Sequence, residues 1–175
     1  MEEEIEKITI KQLSMKWGVI LALISFVYFM VLNMAGLAGD NTYSWIGSIF
    51  TIIVFVMAHK SFKEDGNGFM SFGEGFKIGA LISVISSIIS SILTYVYVKF
   101  IDGSMLDLIR EKAITDMEDQ GMGEEQIDQA MGFAEMFMSA EAILFMGIFM
   151  GIIFGMILAL IVTAFTKNAD PSLEM

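Results

Sequence analysis

The chain has 175 residues, 55% of them hydrophobic and 18% charged, with a formal net charge of −11. A soluble domain is typically about 45–50% apolar and about 25% charged, so this composition points away from a water-soluble globule. No cysteine is present and His59 is the only histidine, which excludes disulfides, thiolate nucleophiles, cysteine zinc sites and a histidine cluster within one chain.

Thr9 with Gln12 has capping-box spacing, so the first helix is expected to begin ahead of its apolar core, residues 17–38. That core carries no charge and meets the roughly 20 apolar residues a spanning helix needs. Its length, and Glu2, Glu3, Glu4 and Glu6 ahead of it, argue for a retained span rather than a cleaved signal peptide. Asp40, Asn41 and Thr42 read as a tight turn into a second span over residues 43–59, ending at His59, which is expected at the membrane interface. Asp65-Gly66-Asn67-Gly68 is a further turn, and Ser71 with Glu74 is a second capping box. It opens the third span, residues 76–100, whose Lys77 and Lys99 sit at the ends, where lysine can snorkel.

The next stretch is strongly acidic. Positions 102–141 hold eleven acids against Arg110 and Lys112. The pattern is nevertheless helical: Met105, Ile109, Ala113 and Met117 recur every fourth residue behind a Ser104–Asp107 cap. Gly121-Met122-Gly123 interrupts, and Ile127, Ala130, Met131, Ala134, Phe137 and Met138 then trace a second amphipathic face. Two short helices are expected over about 104–138, acidic face to water, with apolar faces packed on each other, on the membrane surface or on a partner. A fourth uncharged span covers residues 142–165. Trp17, Tyr43, Trp45, Tyr95 and Tyr97 lie towards span ends, as an aromatic belt would place them. The expected architecture is all-α: one domain over residues 1–175, an integral membrane bundle of four transmembrane helices with an extramembrane amphipathic hairpin between helices three and four.

Lysine and arginine near span ends set orientation. Lys7, Lys11, Lys16, Lys60, Lys63, Lys77 and Lys167 fall on one side, and Lys99, Arg110 and Lys112 on the other. The chain is therefore expected with N- and C-termini in the cytoplasm and the acidic hairpin outside. Such acidity repels nucleic acid, so the expected partners are membrane lipid, another membrane protein or a second copy of the chain.

Spans three and four share a packing code. Gly75, Gly79, Ser83, Ser87 and Ser91 recur every fourth residue, as do Gly147, Gly151, Gly155, Ala159 and Thr163. Small residues at this interval let helix backbones approach closely in lipid. The two rows fit each other within a monomer, and the glycine row could alternatively form a homodimer seam. Beside them, Ser86, Ser90 and Thr94 form a second row. Hydroxyls placed so usually bond carbonyls of their own helix, though a serine row can also line a narrow polar path.

The chain carries little recognisable chemistry. No ionisable group lies inside a span, which disfavours a proton relay or an ion pump. The acidic run Asp116–Gly121 lacks the twelfth-position glutamate of an EF-hand loop, where Ile127 stands instead. The sixteen methionines scatter among Phe and Ile as packing residues rather than as a copper site. No catalytic residue, cofactor or metal site is expected.

The run Gly68-Phe69-Met70-Ser71-Phe72-Gly73-Glu74-Gly75-Phe76-Lys77-Ile78-Gly79 is the most distinctive part of the chain. With Tyr95-Val96-Tyr97, Phe100-Ile101-Asp102, the acidic loop and the glycine-rich last span, it resembles an uncharacterised family of four-span proteins from Bacteroidota, domain of unknown function 4199. The resemblance implies a bacterial cytoplasmic (inner) membrane location and no particular activity. Ser71, Phe72 and Phe76 become candidate partner or lipid contacts, beside glycines that would admit another backbone. The expected role is that of a non-enzymatic accessory or structural subunit acting through helix packing and its acidic hairpin. The alternatives are an accessory component of envelope lipid or glycan assembly that holds lipid between helices, and a small transporter or channel.

Overall fold

The computed structural model describes residues 9–37 and 41–169. Six helices follow one another: α1 (Ile10–Met34), α2 (Asn41–Glu64), α3 (Phe72–Phe100), α4 (Ser104–Asp119), α5 (Glu124–Ala134) and α6 (Ala140–Thr166), with a 3-10 turn at Glu135–Phe137. Of these, α1, α2, α3 and α6 each contain a stretch long and apolar enough to cross a membrane. The protein is a multi-pass membrane bundle with a helical hairpin, α4–α5, inserted between its last two spans. The end where α1 begins and α6 finishes is here the proximal end; the hairpin marks the distal end.

Local chemistry sets the boundaries. The Thr9 hydroxyl accepts from the Gln12 N–H (3.2 Å), and the Gln12 carboxamide oxygen accepts from the Thr9 N–H (3.0 Å). Ser71 and Glu74 repeat the arrangement at α3, at 3.2 and 2.8 Å. Each box satisfies two backbone donors at a helix start. The chain leaves α1 through Gly36, whose φ of +70° suits glycine. Residues 38 and 40, the expected span end and turn, lie outside the described residues. Asn41 and Thr42 are already helical, and α2 continues beyond His59 to Glu64, so the second span is longer than its apolar core.

α3 is the central helix, flanked by α6 and α1, while α2 closes the bundle against α1 and α6. The buried apolar side chains fall into two clusters. The proximal one centres on Leu13, Phe55, Ala58, Ile78, Ile82 and Ala159. The distal one joins Tyr97, Val98 and Ala140 to Phe26, Phe29 and Met30. Phe145, Phe149, Ile153, Ile157 and Ile161 remain exposed along the outer side of α6, as a helix solvated by lipid allows.

The proximal loops are stitched together. Met70 and Asn168 exchange backbone hydrogen bonds at 2.8 and 2.9 Å, and the Lys63 ammonium donates to the Thr166 carbonyl at 3.1 Å. This ties the last turn of α2 and the segment after it to the end of α6.

The hairpin differs from its expected form in two details. α4 begins at Ser104, whose N–H is accepted by the Asp102 carboxylate at 3.0 Å, so Ser104 lies inside the first turn instead of capping it. α5 stops at Ala134, and the tighter 3-10 turn rotates Phe137 off the apolar face. Ile127 and Met131 are buried, whereas Phe137 is 58% exposed. Arg110 on α4 pairs with Glu135, closing the hairpin's base.

Candidate functional site

The small-residue rows of α3 and α6 lie directly against each other, running antiparallel. A Cβ placed on Gly75 would stand 2.7 Å from Thr163 Cγ2, one on Gly79 2.5 Å from Ala159 Cβ, and one on Gly155 2.6 Å from Ser83 Cβ. One on Gly151 would stand 3.0 Å from Ser87 Cβ, and one on Gly147 2.7 Å from Ser91 Oγ. These five contacts make one seam with a rung every fourth residue, using Gly75, Gly79, Ser83, Ser87, Gly147, Gly151 and Gly155 inside the monomer. Such spacing trades side-chain volume for backbone approach, the main source of helix affinity in lipid. α1 also meets α3 through a glycine: a Cβ on Gly18 would stand 2.8 Å from Ile85 Cβ, and the signal that marks it is the row Ser14, Gly18 and Ala22 at the same four-residue interval.

Beside the seam, where the two apolar clusters stop, lies a cavity of about 160 Å³. Its walls carry six hydroxyl side chains: Ser25 of α1, Thr51 of α2, and Ser83, Ser86, Ser87 and Ser90 of α3. Leu21, Gly147, Gly151, Phe154 and Gly155 complete it, and no charged residue lines it. Four of the hydroxyls donate to carbonyls of their own helix: Ser83 to Gly79 (2.8 Å), Ser86 to Ser83 (3.3 Å), Thr51 to Gly47 (3.3 Å) and Ser90 to Ser87 (3.5 Å). The Ser87 hydroxyl, in a residue only 7% exposed, has no hydrogen-bond partner among the described residues. The serine row thus does both things its pattern allowed: most members satisfy their own helix, and together they face a shared space. Ser25 and Thr51 belong to no row and could not be singled out from the sequence.

His59 is the clearest correction. Expected at the interface, it is fully buried. Its Nε2 lies 3.0 Å from the Gly75 carbonyl oxygen and its Nδ1 2.7 Å from Thr166 Oγ1. A carbonyl only accepts, so Nε2 carries a proton and donates to Gly75. Thr166 Oγ1 also lies 2.8 Å from the Val162 carbonyl, so its single proton is shared between that oxygen and Nδ1. His59 therefore joins α2 to both α3 and α6 at the rung where Gly75 meets Thr163. The signal it left in the sequence was its place one turn before the charged end of α2, which reads equally well as a surface position.

The distal end carries its own polar knot. Asn33, 4% exposed, donates through Nδ2 to Asp102 Oδ2 at 2.8 Å, and the Tyr97 hydroxyl reaches the same oxygen at 3.4 Å. Hydrogen bonds from Ser104, then from Asn33 and Tyr97, hold the Asp102 carboxyl below its ordinary range. Lys99, Tyr95 and Glu141 form a second link, across the ends of α3 and α6.

Of the proposed contact residues, Ser71 is exposed and engaged in its cap, and Phe72 is 40% exposed. Phe76 packs against the proximal cluster. The room beside Gly75 is taken by Thr163 and Met70 of the same chain. Beyond the bundle, Phe133, Met136 and Phe137 stand 75%, 65% and 58% exposed where the hairpin returns to α6. Among the described residues no group of three His, Asp or Glu side chains could hold a metal ion.

A family model described as Protein of unknown function (DUF4199) matches residues 16–168. No curated protein and no solved structure matches the chain.

Proposed function

Because the chain belongs to the DUF4199 family, whose description names no activity, we infer its role from its own geometry: a non-enzymatic accessory subunit of a bacterial inner membrane. It acts through helix packing and presents its acidic hairpin to a membrane-protein partner. The carrying observation is where packing is complete and where it is open. The small-residue seam is filled from within the chain, while Phe133, Met136 and Phe137 stay uncovered at the hairpin's foot. Exposed aromatic and methionine side chains beside polar ones are what interface cores are built from. Counted along the sequence, seven lysines flank one side of the spans and three basic residues the other, which supports termini in the cytoplasm and the hairpin outside.

The test places a photo-crosslinking amino acid at position 137 in cells, followed by purification in mild detergent. A defined crosslinked membrane protein is expected, its yield falling by about tenfold in the Phe133→Ser/Met136→Ser background. A strictly monomeric particle without crosslinks would end this reading.

A further inference from the structure

We propose that the hydroxyl-lined cavity is a binding site for a small uncharged O–H donor, a short polyol such as glycerol or a cluster of water molecules. The site stands apart from the hairpin and does not depend on a protein partner.

Three observations carry this. First, the cavity interrupts the apolar core: along α3 the wall residues Ser83, Ser86, Ser87 and Ser90 stand between Ile82 of the proximal cluster and Tyr95 of the distal one, and along α1 Ser25 stands between Ile24 and Phe26. Packing that is continuous elsewhere is interrupted at one depth, where all four spans contribute to the wall. Second, the wall is polar but neutral. A void lined only by Leu, Ile and Phe stays dry, whereas one with convergent polar groups holds water or a ligand. Without a charged side chain an ion would lie uncompensated in a low-dielectric interior, which costs far more than a few hydroxyl contacts return. Third, the hydroxyls that bond their own carbonyls have spent their protons and offer lone pairs inward. The occupant must therefore bring donors. Ser87, nine-tenths buried and without a partner among the described residues, can either donate or accept. The volume of about 160 Å³ suits a three-carbon polyol or about five waters, at about 30 Å³ per water.

The seam explains why the space exists. Glycines at 147, 151 and 155 make up most of the α6 wall at this level and leave Phe154 as its side chain there. α2 contributes Thr51, while its bulkiest buried side chain, Phe55, sits in the proximal cluster one turn away.

The test uses the full chain in lipid nanodiscs, by equilibrium binding of radiolabelled glycerol and by magnetisation transfer from water to Ser86 and Ser87 in solid-state NMR. Saturable glycerol binding at about one site per chain is expected. Ser87→Ala should weaken it about tenfold, as loss of one buried hydrogen bond does. Ser25→Ala on the opposite wall should weaken it too, and Ser91→Ala, in the seam outside the cavity, should not. Absence of glycerol binding with strong water transfer to Ser86 and Ser87 would assign the site to water. Failure of both, or glycerol binding indifferent to Ser87→Ala and Ser25→Ala, overturns the proposal. Thermal unfolding of each variant separates lost binding from lost fold.

Discussion

At the scale of single residues, the seam is a set of steric statements that can be checked one rung at a time. The Gly79 rung is the most demanding, because the Cβ it lacks would meet Ala159 Cβ at 2.5 Å and Ala159 Cα at 3.3 Å, neither of which can rotate away. Gly79→Ala should therefore cost about 1–3 kcal/mol, the usual range for overpacking. The double variant Gly79→Ala/Ala159→Gly moves the methyl to the other helix and should recover most of the loss. Thermal unfolding in detergent reads both, and Gly132→Ala, which has open space around it, is the control. A double variant no more stable than Gly79→Ala alone would show that the rung is not a steric lock. These residues were legible because a four-residue interval of small side chains has few other uses in an apolar span. Gly18 carried the same kind of signal in a shorter row, since Ser14, Gly18 and Ala22 recur every fourth residue on α1 and are all buried. His59 was not legible, because burial of one imidazole depends on which carbonyl and hydroxyl the tertiary fold brings to it.

At the scale of elements, the bundle is unevenly held. α3 is locked to α6 by the seam and meets α1 through Gly18, whereas α2 relies on a few anchors: Val54, Phe55 and Ala58 in the proximal cluster, His59 and Lys63 beyond them, and the Tyr28 hydroxyl donating to the Tyr43 carbonyl at 2.7 Å. His59→Leu keeps similar bulk and removes both hydrogen bonds, so it should cost about 1–2 kcal/mol. Its signature should be local. Hydrogen exchange should rise at the ends of α2 and α6 and stay unchanged at the distal cluster; a uniform increase would contradict His59 as a tie for α2. Helix starts were readable at this scale, since the Thr9–Gln12 and Ser71–Glu74 boxes are written in four-residue windows. The 3-10 turn at Glu135–Phe137 was not: the apolar periodicity runs on through Phe137, and only the chain's return to α6 tightens the turn there.

At the scale of the whole molecule, four spans and an acidic insert could be read directly, because bilayer thickness converts apolar length into topology. The cavity could not, since it is made by four helices at one depth and none of them signals it alone. Sidedness is open to a clean measurement, because the chain has no cysteine of its own. Asp119→Cys, at the exposed end of α4, should react with an impermeant maleimide added to intact spheroplasts; labelling only after lysis would reverse the proposed orientation. The order of synthesis adds a last consequence of the seam. α3 emerges with its glycine and serine row uncovered, and the helix that covers it follows only after the whole acidic hairpin has been made. At about 5–20 residues per second, α3 waits on the order of several seconds in the bilayer with that row open. For that interval the row faces whatever lies beside it in the membrane, and only the arrival of α6 closes the protein.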